Sequence, residues 1–130
     1  MNTKQLRIAV AILGSIAVAL PAFAHHSLTA VYDPTKPVIV KGKLTRVNWA
    51  NPHIFVYLDV PNQGGQVEQW SFESGPPVAL TRAGVKRSDF IVGDVVTITA
   101  WAAKDGSNLG RLNQIKYSDG HVFVYKIGTE

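Results

Sequence analysis

The chain carries four histidines, His25, His26, His53 and His121, and no cysteine. Thiolate catalysis, thiolate zinc sites and iron–sulfur clusters are therefore excluded. A metal ion would have to be held by imidazole, carboxylate, backbone groups or an amine. Position makes His25 and His26 special. They follow Ala22-Phe23-Ala24, the small-x-small pattern at which signal peptidase cuts. A cut after Ala24 would make His25 the N-terminal residue. A free α-amine has a pKa of about 7.7–8.0, so it is partly deprotonated near neutrality. Together with the His25 imidazole it would chelate one ion, and His26 would add a second imidazole and a backbone nitrogen. Nitrogen-rich donor sets of this kind favour Cu(II). A further imidazole from His53 or His121 would complete a copper site resembling a histidine brace. The plainer expectation is an exposed peptide terminus with adventitious copper affinity.

The second place where residue types converge is Trp49-Ala50-Asn51-Pro52-His53 and the strand that follows. Period-two alternation puts His53, Phe55, Tyr57 and Asp59 on one face and Ile54, Val56 and Leu58 on the other. Trp49, Asn51, His53, Phe55 and Tyr57 are thus the candidate ligand-binding residues, a polar and aromatic surface at the mouth of a small barrel. The competing expectation is a strand buried on both faces, with His53 bonded to a loop carbonyl. Trp70 and Phe72 share one strand face and read as core. Trp101, at the end of a later strand, reads as a cap on the barrel. Glu73 stands beside Gly75-Pro76-Pro77 at a helix entrance, where a carboxylate is favourable for structural reasons. His121 follows Asp119-Gly120 and reads as a solvated turn residue unless it serves copper. No catalytic residues are assigned. The chain lacks G-x-S-x-G, H-E-x-x-H and a phosphate-cradling glycine loop, and copper-dependent oxidative chemistry would also need an exposed flat substrate face.

These residues are carried by an exported chain. Lys4 and Arg7, the apolar run Ile8 to Leu20, the helix-breaking Pro21 and the A-x-A site make a cleavable signal peptide over residues 1–24. The apolar run is short of the ~20 residues that span a bilayer, so no stable membrane span is expected after cleavage. The expected location is the periplasm or the extracellular side. Removing the signal takes away two cations, and 13 basic against 9 acidic residues becomes 11 against 9. A surplus this small is no nucleic-acid footprint. Arg82, Lys86 and Arg87 form a small basic cluster, either a solvated face or a contact for an anionic partner or lipid headgroups.

Residues 25–37, with Tyr32-Asp33-Pro34 and Lys36-Pro37, form an irregular arm. Alternation begins at Val38 and runs to Thr45, with Gly42 marking a bulge or sharp bend. His53–Val60 and Gln66–Glu73 make a hairpin across Pro61-Asn62-Gln63-Gly64-Gly65. Val78–Ala83 is a short helix stopped at Gly84. Val95–Trp101, Arg111–Tyr117 and His121–Lys126 complete the set. Three strands, a helix and two or three more strands match a small OB-like barrel of five to six strands over residues 38–130, with a β-sandwich as the alternative all-β architecture.

His25-His26-Ser27, Tyr32-Asp33, Gly42, Trp49-Ala50-Asn51-Pro52-His53, Trp70, Leu80-x-x-x-Gly84 and Gly93-Asp94-x-Val96 resemble a family of small exported bacterial proteins of unknown function. The likeness covers nearly the whole mature chain, and its most specific element is Trp-x-Asn-Pro-His. It implies export and an independent small β domain, with no activity to carry over. The expected function is a non-catalytic binding module for a small molecule or an envelope protein. The alternative is a periplasmic copper-binding protein that uses His25 with His26, His53 or His121.

Overall fold

The computed structural model describes residues 27–125. The signal segment, His25, His26 and Lys126 lie outside the described residues. A one-turn helix α1 (Leu28–Val31) leads into strands β1 (Tyr32–Asn48), β2 (Phe55–Pro61) and β3 (Val67–Glu73). Helix α2 (Pro77–Arg82) and a 3-10 turn (Arg87–Asp89) follow, then β4 (Val95–Ala103), β5 (Leu109–Lys116) and β6 (Val122–Val124).

All six strands belong to one sheet, which disposes of the sandwich alternative. Strand β1 is long enough to serve two neighbours. Its first part, to Lys43, pairs antiparallel with β4, and its last part, from Lys43, pairs with β2. Strands β2 and β3 form the expected hairpin, with Phe55 opposite Glu73 and Tyr57 opposite Ser71. Strand β4 pairs with β5. A parallel pairing of β3 with β5, through Ser71–Leu109 and Glu73–Arg111, then closes the hydrogen bonds into a ring in the order β1-β2-β3-β5-β4. This is the connectivity of the OB-like plan, with α2 in the expected place between β3 and β4.

Strand β1 begins at Tyr32, well before the alternation at Val38. The second half of the expected arm is therefore strand, its register broken between Asp33 and Pro37 where the two prolines cannot donate to the ladder. The bulge expected at Gly42 sits instead at Thr45, between the pairs Leu44–Leu58 and Arg46–Tyr57. What Gly42 provides is closeness: a Cβ there would lie 2.7 Å from the Asp59 carbonyl oxygen.

The interior is filled by the inward positions that alternation predicts, among them Leu44, Ile54, Val56, Leu58, Phe72 and Ile98, none with measurable exposure. Burying a side chain of this size contributes about 1.5–3 kcal/mol. Trp70 packs on this core and stacks on Phe72 with ring centroids 5.8 Å apart. Helix α2 starts on Pro77, whose fixed φ suits the first turn, and closes one end of the ring with Leu80. It stops where Gly84 takes a φ of +87° and donates its N–H to the Thr81 carbonyl. Val85 and Phe90 complete that plug. Among the described residues no helix is long and apolar enough to cross a membrane.

Candidate functional site

Four strands bring their ends together at one place on the outer surface of the ring. Glu73 is the last residue of β3. His53 lies just before β2, whose first residue pairs with Glu73. Arg111 is opposite Glu73 in the parallel β3–β5 pairing, and Tyr32 opens β1. Their side chains meet on the Glu73 carboxylate. His53 Nδ1 lies 2.5 Å from Oε1, Arg111 Nη1 lies 3.4 Å from the same oxygen, and the Tyr32 hydroxyl donates to Oε2. Arg111 Nη1 also donates to the Ser74 carbonyl at 2.6 Å. Its guanidinium sits over the Tyr125 ring, 5.7 Å from the centroid. Gly75 leaves the room that the Tyr125 hydroxyl occupies.

The expectation that His53 bonds to a loop carbonyl is thus replaced by a carboxylate–imidazole pair. With both oxygens engaged, Glu73 orients other groups. Donation from Nδ1 sets the tautomer of the neutral ring, in which Nε2 is the acceptor nitrogen. Arg111 is only 4 % exposed and Tyr32 1 %, while the His53 side chain is 41 % exposed. The arrangement is therefore a buried base of Arg111, Glu73 and Tyr32 that holds up one accessible imidazole.

Burial pushes the Tyr32 phenol above its usual range, and the neighbouring Glu73 carboxylate adds to the effect. Tyr117 is raised too, chiefly by burial. In the unfolded chain both phenols lose their protons near pH 10. Above that pH the native state holds protons that the unfolded state has released, so native stability is full below pH ~10 and falls as pH rises. The expected slope for two such phenols is about 2.7 kcal/mol per pH unit, and Tyr32→Phe should roughly halve it. Urea unfolding of both proteins between about pH 9 and 12 measures this.

The other residues predicted for the site divide. Phe55 and Tyr57 share the outer face of β2 with His53, as alternation requires. Their rings stack at 6.4 Å, and the Arg46 guanidinium lies 3.9 Å above Tyr57. Trp49 does not join them. It packs edge-on against Phe90 at 6.0 Å and contributes to the core. Asn51 is exposed in the loop, before a cis bond to Pro52. Trp101 does not cap the barrel end. It stands on the outer face beside Arg111. Its indole N–H donates at 2.9 Å to the Asn113 side chain, which in turn donates to the Arg111 carbonyl at 3.1 Å.

His121 stacks on Tyr117 at 4.2 Å and pairs with Asp119, Nδ1 to Oδ1 at 2.5 Å. It lies beyond the far end of β5 from Arg111, a separation of about 20 Å at ~3.3 Å per residue. His53 and His121 each pair with a carboxylate of their own, Glu73 and Asp119. Among the described residues no three His, Asp or Glu side chains converge as a metal site. His25 and His26 lie outside them.

Glu73, Arg111 and Tyr32 are the members that sequence reasoning missed. The one sequence signal for them is an arginine set between Gly110 and Leu112 near the start of a strand, where a buried cation must find a carboxylate.

No curated protein and no solved structure matches the chain. The model of a family of unknown function, DUF6152, matches residues 13–124. With the match spanning nearly all of the chain, this protein belongs to the DUF6152 family.

Proposed function

We propose that the protein is an exported, non-catalytic binding module, and that its ligand, a small molecule or an envelope protein, meets the outer face of β2 at His53, Phe55 and Tyr57. The observation that carries this reading is the His53–Glu73 pair on its buried base. Holding an accessible imidazole in one tautomer commits an arginine, a phenol and a carboxylate from three strands. A merely solvated histidine needs none of them. The two stacked rings beside it supply apolar contact area of the kind that binding sites use. The test is capture from an envelope extract, protein and small-molecule fractions alike, on immobilised protein, on His53→Ala and on Phe55→Ser/Tyr57→Ser. Both variants should keep the wild-type circular dichroism spectrum and lose at least about tenfold in capture, since hot-spot truncations cost ~1.4 kcal/mol or more. Equal capture by both would overturn the reading, and unfolding of His53→Ala would make that residue structural.

A second reading, copper binding, is favoured by the same pair. Metal-bound imidazoles almost always donate their other ring N–H to a carboxylate, a backbone carbonyl or water, as His53 donates Nδ1–H to Glu73. His25 and His26 precede Tyr32 by so few residues that the chain between His25 and Tyr32 spans at most about 25 Å. In this reading the N-terminal amine and His25 imidazole bind Cu(II), and His53 Nε2 completes the set. Electron paramagnetic resonance of the tag-free, processed protein tests it. His53→Ala should change the Cu(II) signal, Glu73→Gln should weaken binding by about 10–100-fold, and His121→Ala should change nothing. A signal indifferent to His53→Ala would leave only an ordinary peptide terminus.

A further inference from the structure

The part of the sheet built from β1, β4, β5 and β6 has an outer face that does not include His53, Phe55 or Tyr57. Strand register lays it out in rows. Ile39 stands beside Thr99, Gln114 and Val124, the next row is Lys41, Thr97, Lys116 and Val122, and Lys43 pairs with Val95. The intervening positions Val40, Ile98 and Ile115 are buried, so these rows point outward. They hold three lysines and several exposed aliphatic side chains; the one carboxylate beside them in the ladder is Asp59, opposite Lys43 on β2. Lys41, Thr97 and Lys116 line a shallow depression with Tyr117 and Ser118. Asp94, at its rim, already accepts a hydrogen bond from Ser118.

Next to Val95 the chain makes a turn that carries Ile91 and Val92, 59 % and 64 % exposed. The turn is held in place. Gly93 N–H donates to the Leu44 carbonyl and Leu44 N–H to the Asp94 carbonyl, both at 2.8 Å, and Phe90 anchors it in the core. Two adjacent aliphatic side chains are therefore kept in water by a fixed backbone, with exposed Lys86 and Arg87 just before them.

Single exposed aliphatics are ordinary. A rigid apolar tip beside a face where lysines outnumber carboxylates is a different pattern, and it decides between anionic partners. Single-stranded nucleic acid would want aromatic platforms, and the rows contain none. An acidic protein would match the lysines and leave the projecting tip unexplained. A lipid bilayer takes both, because aliphatic groups enter the headgroup boundary while lysine stems lie along it with their ammonium groups at the phosphates. We infer that this face docks the protein on an anionic membrane surface, with Ile91 and Val92 inserted and Lys41, Lys43 and Lys116 meeting lipid phosphates.

Co-sedimentation with vesicles tests this, comparing phosphatidylcholine alone with a mixture of one part phosphatidylglycerol to three of phosphatidylcholine. The protein should sediment with the mixed vesicles only, and less as salt is raised. Lys41→Ala/Lys116→Ala should weaken binding by about thirtyfold, from ~1 kcal/mol for each cation at the surface. Ile91→Ser/Val92→Ser should weaken it by about tenfold, from partial burial of two aliphatic side chains. All these residues are exposed, so both variants should keep the native circular dichroism spectrum. The proposal is overturned by absence of vesicle binding, or by binding that both variants retain, which would assign it to the apolar segment 8–20. It is equally overturned by binding to poly-L-glutamate without binding to vesicles, the result that points to an acidic protein.

Discussion

Arg111→Ala should destabilise the protein by about 3–5 kcal/mol, the usual cost of removing one member of a buried charged pair. The guanidinium is almost wholly enclosed, and a single nitrogen serves both the Ser74 carbonyl and Glu73 Oε1. Its loss leaves that carbonyl without a donor and leaves the half-buried Glu73 carboxylate with His53 and Tyr32 alone. It also opens a space against Tyr125. In a domain of this size 1 kcal/mol moves the melting temperature by about 4–8 °C, so the expected fall exceeds ~12 °C. Arg111→Lys should recover only part of this, because an ammonium keeps the charge and gives up both the planar fork and the stacking on Tyr125. Glu73→Gln should cost less alone than Arg111→Ala. Combined, the two should cost less than their sum, because the second change removes the charge that the first had orphaned. Urea midpoints for the four proteins measure this coupling. Strict additivity would mean that Arg111 and Glu73 do not act as a unit, and the buried base assigned to His53 would fail with it.

The outer face of β2 was legible in the sequence because alternation there is unbroken from His53 to Asp59. The same logic fails where a strand carries one extra residue. Counted by twos from the buried Leu44, Arg46 should point into the core. The bulge at Thr45 turns it outward onto Tyr57. Counted by twos from the buried Ile115, Arg111 should also point inward. A register shift opposite Asn113 brings Leu112 into the core and puts Arg111 outside, against Glu73. Two irregularities that no local pattern announces thus place the two arginines of the candidate site. The role of Glu73 was hidden for a related reason. Its neighbours in sequence are a helix entrance and two prolines, while His53 reaches it through the β2–β3 hairpin and Tyr32 and Arg111 meet it only when β3 closes onto β5. Ring closure was inferable from the order of elements, and the side chains that closure juxtaposes were not.

Gly42→Val is the second large effect, and it tests the closure itself. In a ring this small, one strand must leave one neighbour and join the next, and β1 does so around Gly42 and Lys43. The glycine answers a steric need here, since its φ is not positive. An added Cβ would meet the Asp59 carbonyl oxygen at 2.7 Å, Val60 Cγ2 at 2.8 Å and Leu58 Cβ at 3.2 Å. The first of these is backbone and cannot rotate away. Strand β2 cannot retreat either, because it is paired along its whole length with β3, which is itself tied to β5. Overpacking against so fixed a wall should cost about 3 kcal/mol, with Gly42→Ala somewhat below it. Gly64→Ala, in the β2–β3 turn, supplies the contrast. Its nearest neighbour would be Asn62 Oδ1 at an ordinary 3.4 Å, so its cost should stay within about 0.5 kcal/mol. Urea unfolding of the three variants separates the cases. If Gly42→Val were as mild as Gly64→Ala, β2 would have to slide freely past β1, and neither the closed ring nor the fixed alignment of His53, Phe55 and Tyr57 on its outer face would survive that result.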